Sequence, residues 1–393
     1  MPSQSKAGQN VPLIFVFLGG ELPSYAEASL RFASSNYSGQ VVLLSDTLDS
    51  DSNADFHTLD IRPWYDRNLF GKFRAKSSLD GEFRGGFWLH AVERFFVLEQ
   101  FMAHRGLDRI FHAELDVMVF DLDGVSQACD SHGSGIFSVM DSPNRSLASL
   151  FYVNSRGTFR HFLEFLLDAP TTRNEMQLLG EYTRANPTQG HALPSEIALD
   201  ATHCPVAPSS VSPEIGIFDA AALGQWLFGI DSRNTAWSVW NHFKNPNLTF
   251  PIQKARFSMS WPGLTPTVSY QGVERRVRTL HIHSKIVERL VRPLRLRLWV
   301  LMSSLPFPVL VQKKRGILRG VLLRRLLVGR GLVLLRGVGS LLPRWTSSVV
   351  SHLRETSAQP LSNRQAEAIE SIFRNSDPER NSRVSAPRPR TPH

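Results

Sequence analysis

The chain reads as an α/β protein: a mixed, mostly parallel sheet with helices on both faces, plus a basic C-terminal extension. Three observations predict this. Short, continuous apolar runs at residues 11–18, 41–44 and 136–140 suit strands buried on both faces. Stretches with apolar residues near a 3.6 period lie between them, at 25–34 and 87–104. From about Ile286 this alternation gives way to Arg- and Leu-rich sequence.

Each element follows from its residues. Residues 11–18 end at Gly19-Gly20, a strand running into a tight turn. Residues 25–34, YAEASLRFAS, have helical spacing. Residues 41–44 form a second buried strand that stops at Ser45-Asp46. In 87–104 the apolar positions Phe87, Val92, Phe95, Leu98 and Met102 define a helix face, and Gly106 is its stop. Residues 109–120 follow as one strand, then 136–140 and 147–154 as two more, and 158–167 as a helix. Alternating strands and helices imply a sheet covered on both sides.

Composition narrows the class. The apolar share, 42%, supports an ordinary core. Cys129 and Cys204 give neither a disulfide framework nor a zinc-finger spacing. The first apolar run is too short for a secretory h-region. No uncharged apolar run reaches the roughly 18–20 residues of a membrane span. The longest, 298–311, contains Pro306 and Pro308. A cytoplasmic protein, peripheral on a membrane at most, is the expectation.

Charge divides the chain. Residues 1–285 carry 24 Lys and Arg against 29 Asp and Glu, a net of −5. Residues 286–393 carry 20 against 6, a net of +14. Three regions follow: a mildly acidic α/β domain over 1–285, a basic apolar segment suited to a membrane surface over 286–350, and a polar tail over 351–393 predicted to be disordered. The basic segment lacks the interleaved aromatics that stack bases, so an anionic lipid surface is the expected partner and nucleic acid is not.

The most informative stretch is RIFHAELDVMVF, residues 109–120. If it is one strand, Phe111, Ala113, Leu115, Val117 and Val119 share an apolar face, and His112, Glu114, Asp116 and Met118 share the other. Buried carboxylates are costly unless paired or bound to a metal. Glu114 and Asp116 therefore read as ligands of a hard divalent cation at the carboxyl end of a strand, where open α/β sheets gather ligands. Asp121 and Asp123 form a rival acid pair at the start of a loop. Downstream, TLHIHSK places His281, His283 and Lys285 on one strand face, an imidazole and ammonium group suited to a metal and an anion.

The order strand, helix, acid-x-acid strand resembles the GT-A glycosyltransferases, with Glu114-Leu115-Asp116 in the place of their D-x-D motif. Residues 88–97, WLHAVERFFV, resemble the helix before that motif in family-eight-like transferases. The resemblance implies that Arg94 contacts the nucleotide or the motif acid. It also implies that His283 completes the metal site and Lys285 meets the diphosphate, with His281 the alternative ligand. Here Glu replaces the motif's first Asp, and the family's Gly and Pro-Trp are missing around His283. The implied activity is sugar transfer from a nucleotide-sugar, a UDP-sugar first, to a glycan or lipid-linked acceptor, with Mn2+ or Mg2+ as cofactor.

Further assignments are topological. Gly19 and Gly20 would let backbone approach the nucleotide, and Asp46 would bind its base or ribose. Residues 214–231 hold Asp219, Gln225 and Asp231 in an apolar setting, either lining the acceptor side or capping a packed helix. Asp219, Glu196 and Glu175 are the candidates for a catalytic base. Two other functions compete: a nucleotidyltransferase, for which the loop 19–23 is poor in Lys and Arg, and a non-catalytic, membrane-associated sugar-nucleotide-binding protein.

Overall fold

A computed structural model describes residues 11–49, 51–52, 55–169, 172–199, 210–228, 252, 255–259, 265–283, 285 and 287–291. All belong to one compact unit, residues 1–304.

The N-terminal half lays down the sheet. Strand β1 (Leu13–Phe17) is followed by helix α1 (Ser24–Asn36), β2 (Val41–Ser45), β3 (Asp51–Ser52), β4 (His57–Asp60), α2 (Asn68–Lys76) and α3 (Phe87–Arg105). Then come β5 (Ile110–Ala113), β6 (Val117–Val119), α4 (Val125–Asp130), β7 (Ile136–Ser142), β8 (Arg145–Val153), α5 (Arg156–Asp168), α6 (Glu175–Ala185) and β9 (Gly190–Leu193). Eight strands pair in the order β3-β4-β2-β1-β5-β8-β7-β9. The run β4-β2-β1-β5 is parallel, as is β7-β9. Antiparallel β8 joins β5 to β7, so the sheet is mixed.

Strand alternation decides which helix meets which face. Leu13, Phe15, Val41 and Leu43 pack with Ala26, Leu30 and Ala33 of α1 and with Val125 and Cys129 of α4. Ile14, Val42 and Leu44 face the other way, against α2, α3, α5 and α6. Helix α3 supplies the largest share, burying Val92, Phe95, Phe96, Leu98 and Met102. It ends at Gly106, whose φ of 63° is the left-handed stop its sequence predicts.

The chain then builds a smaller sheet. Strand β10 (Ile217–Phe218) leads to α7 (Ala222–Phe228), β11 (Arg256–Met259), β12 (Pro266–Tyr270), β13 (Val273–His281) and α8 (Val287–Leu290). The order is β10-β13-β12-β11, with β6 also pairing β13.

Two expectations need correction. Residues 109–120 are not one strand. Strand β5 ends at Ala113, and the chain turns through Glu114–Asp116, where the Val117 amide donates to the Glu114 carbonyl at 3.0 Å. The split has a cause: β5 is held in the large sheet by β1 and β8, whereas β6 leaves it to pair with β13. The apolar set survives the turn, and Phe111, Ala113, Leu115, Val117 and Val119 share one core. The polar set does not. His112 turns inward, its Nδ1 2.9 Å from the Ile14 carbonyl, and burial together with the Arg94 charge holds its pKa well below the usual range.

Likewise, residues 279–285 are not one strand. Strand β13 stops at His281, and Lys285 sits at a left-handed φ of 58°. Strand alternation therefore does not set the directions of His283 and Lys285.

Among the described residues no helix is long and apolar enough to cross a membrane. Apart from 287–291, the basic segment 286–350 and the tail 351–393 lie outside the described residues, as do Cys204 and Asp231.

Candidate metal centre

The turn between β5 and β6 lifts Glu114 and Asp116 off the carboxyl edge of the sheet. Beside them arrives the end of β13, because His281 pairs with Val117, one residue past Asp116. The Ile282 amide donates to the Asp116 carbonyl at 2.7 Å, closing the junction. His281 Nε2 lies 3.1 Å from an Asp116 carboxylate oxygen and 3.8 Å from one of Glu114. One ligand atom from each of Glu114, Asp116 and His281 lies within 4.8 Å of the others. Two carboxylates and an imidazole form an oxygen-rich mixed donor set suited to Mn2+ or Mg2+. Of the two histidines, His281 is the one that reaches both acids. The His283 ring packs on it, with 4.5 Å between centroids.

Cations flank the acids. Lys285 Nζ pairs with Asp116 and lies 5.7 Å above the Tyr25 ring. Arg94 Nη1, from α3, meets Glu114 at 2.5 Å. Behind it, buried Glu175 at the start of α6 stands 3.8 Å from Arg94 Nη2. Burial would raise the Asp116 pKa, but Lys285 and His281 outweigh it and hold that carboxyl well below its usual range. Burial opposes charge on His281 too, and the Asp116 and Glu114 carboxylates overcome it, raising the imidazole pKa. Glu175, by contrast, is pushed up to about 7, first by burial.

Asp219 and Glu196 sit deeper. Asp219 Oδ1 accepts from the Leu223 amide at 2.9 Å, and Oδ2 from the Gly224 and His281 amides at 2.8 Å each. It therefore ties the first turn of α7 to the strand end that carries His281. Glu196 Oε2 accepts from the Ala220 amide at 2.9 Å. Both are fully buried. Their hydrogen bonds are to backbone, so the geometry makes them supports of the site. Asp219 caps α7, one of the two readings its sequence allowed.

A second polar cluster lies on the same edge. Gly19 and Gly20 have φ of 66° and 71°, the turn expected after β1. The Gly19 amide donates to Asp46 Oδ1 at 2.8 Å, and Arg67 Nη2 to Asp46 Oδ2 at 2.6 Å. Arg67 Nε also meets buried Glu93 at 3.1 Å, which His90 Nδ1 approaches at 3.3 Å. Arg67, His90 and Glu93 escaped the sequence reading. A signal existed: Glu93 is an acid inside the apolar face of α3, three residues after His90.

The rival pair is accounted for otherwise. Asp121 is bound by Arg276 at 3.0 Å and by Arg278, and Asp123 accepts from Ser38 at 2.9 Å. No protein-family model matches the chain, and a search of curated proteins gives no match either.

Proposed function

We propose that this protein is a metal-dependent glycosyltransferase of the GT-A type, acting on a nucleotide-sugar with Mn2+ or Mg2+. The observation that carries the reading is the convergence of Glu114, Asp116 and His281 within 4.8 Å beyond the ends of parallel strands β1 and β5. Those three residues would hold the cation, which when bound supplies charge neutralisation for a departing diphosphate. Lys285 adds a positive charge on the same side, and charge aimed at a developing anion is where catalysis gains most. Arg94 fixes Glu114 in place. Gly19, Gly20 and Asp46 border the same edge and suit the nucleoside. In the transfer, the bond from the anomeric carbon to the diphosphate oxygen breaks. A bond to an acceptor hydroxyl forms, and that hydroxyl releases its proton. The acceptor class proposed is a glycan or a lipid-linked glycan, and the +14 charge of residues 286–393 favours an anionic membrane nearby.

The test is hydrolysis of a UDP-sugar panel with Mn2+ by the full chain. Asp116→Asn is expected to reduce turnover on the order of 100-fold or more and to weaken Mn2+ binding, with an unchanged circular dichroism spectrum. Turnover that persists in a chelator would overturn the metal role. Nucleotide binding with no turnover of any donor would favour a binding protein.

A further inference from the structure

Helix α3 serves as a ruler running outward from the metal centre. Arg94 meets Glu114; one turn earlier, His90 borders Gly19 at the end of β1, where a Cβ added to Gly19 would lie 3.2 Å from His90 Nε2. Phe87 is two turns before Arg94 on the same side, about 10 Å further out at 1.5 Å per residue. The helix start therefore overhangs the carboxyl edge of the sheet.

An aromatic cluster occupies that overhang. Phe83 and Trp88 stack with centroids 6.3 Å apart and planes within 9°, and Phe87 meets Trp88 edge-on at 4.9 Å. Phe83 is 40% and Phe87 43% exposed, placing them with Leu69 and Val273 as the exposed large apolar side chains among the described residues. The loop that carries Phe83 is held in shape. Asp80 Oδ1 accepts from the Glu82 and Phe83 amides at 2.8 and 3.1 Å. Arg84, Gly85 and Gly86 follow in successive left-handed conformations, with φ of 51°, 68° and 83°. A non-glycine residue held in that region is strained, as loops at functional sites often are.

We propose that Phe83, Phe87 and Trp88 form a stacking platform for a pyranose ring of the acceptor glycan. The size of the patch points to a small ring: three side chains fall far short of the roughly 800 Å² per partner that a stable protein interface buries. The chemistry points to sugar. Aromatic faces carry negative charge density that attracts the polarised C–H groups of a pyranose face. Exposed Asp80 and Glu82 rim the platform with groups that suit sugar hydroxyls, and the Arg84 guanidinium lies over the Phe83 ring, 5.1 Å from its centroid. The position also fits, because the platform lies outward of His90, beyond the cluster at Gly19 and Asp46 proposed for the nucleoside. This assignment rests on the glycosyl-transfer reading and gives its second substrate a place to bind.

The experiment uses the full chain with saturation-transfer NMR on methyl glucoside, methyl galactoside, methyl mannoside and lactose, and on uridine as a separate probe. Mn2+ affinity and the thermal midpoint are measured in parallel. At least one glycoside is expected to show ring C–H saturation in the wild type. Phe83→Ser and Phe87→Ser should each weaken that binding at least fivefold, with Mn2+ affinity and midpoint unchanged. No glycoside signal in the wild type, or equal signals in both variants, overturns the platform. Loss of uridine binding with glycoside binding intact overturns it in favour of a nucleobase site. Failure of the metal reading is separate: Mn2+ would fail to bind the wild type while the glycoside result stood.

Discussion

Burial, and then the adjacent Asp219 charge, penalise the ionised form of Glu196 and raise its pKa. Its Oε1 is buried without a hydrogen-bond partner, and Oε2 takes the Ala220 amide. Glu175, raised to about 7 by burial, behaves alike. The sign follows from linkage. An unfolded glutamate titrates near ~4.3, below both folded values. Below that pH the contribution to stability is complete. Above it the unfolded chain sheds a proton that the folded chain keeps, so stability falls as pH rises through the folded values. The melting midpoint is therefore expected to decline from pH 5 to pH 9. Glu196→Gln keeps an acceptor for the Ala220 amide and removes one titration, so its decline should be shallower. Parallel curves would place the origin elsewhere. None of this was visible in sequence: Pro194-Ser195-Glu196 looks like any loop acid until Asp219 is folded against it.

At the scale of elements, the site depends on how closely α7 approaches the end of β13. Gly224 makes that approach possible. A Cβ there would collide with the His281 carbonyl oxygen and stand 2.7 Å from Asp219 Oδ2. Gly224→Ala is expected to cost about 1–3 kcal/mol, as overpacking does, read as a lowered midpoint in chemical denaturation. Because the displaced strand carries His281, Mn2+ affinity should fall in the same variant even where it remains folded. Unchanged affinity would separate α7 from the metal centre. Legibility at this scale was uneven. Strands β1 and β2 were readable as continuous apolar runs, and helices α1, α3 and α5 because each buries a periodic apolar face. Strand β6 was not, because the run from Phe111 to Val119 keeps its apolar alternation through a turn that only the competing pull of β13 creates. Strands β10 and β11 carry too few residues for a period to show, and the charged first half of β13, VERRVR, hides its apolar end.

For the whole molecule, charge is the feature with consequences. Residues 1–285 are net −5 and residues 286–393 net +14, so any attraction to an anionic surface originates in the C-terminal part. Each basic residue near such a surface contributes about 1 kcal/mol. The full chain is expected to sediment with phosphatidylglycerol-rich vesicles at low salt, and to be released at high salt as screening shortens to a few ångströms. Equal binding to neutral vesicles would refute an electrostatic origin.

What the sequence determined alone was whatever depends on local period and residue type: the α/β class, the buried strands, the α3 stop at Gly106, and the acid pair Glu114 and Asp116. What only tertiary structure decided was which distant groups meet. His281 stands beside Asp116, 165 positions away in the chain, because β13 pairs with β6. Asp219 and Glu196 hold backbone because α7 and the strand ends close over them. Pairing between strands far apart in sequence is set by the burial of whole faces, and no local window of residues contains that energy.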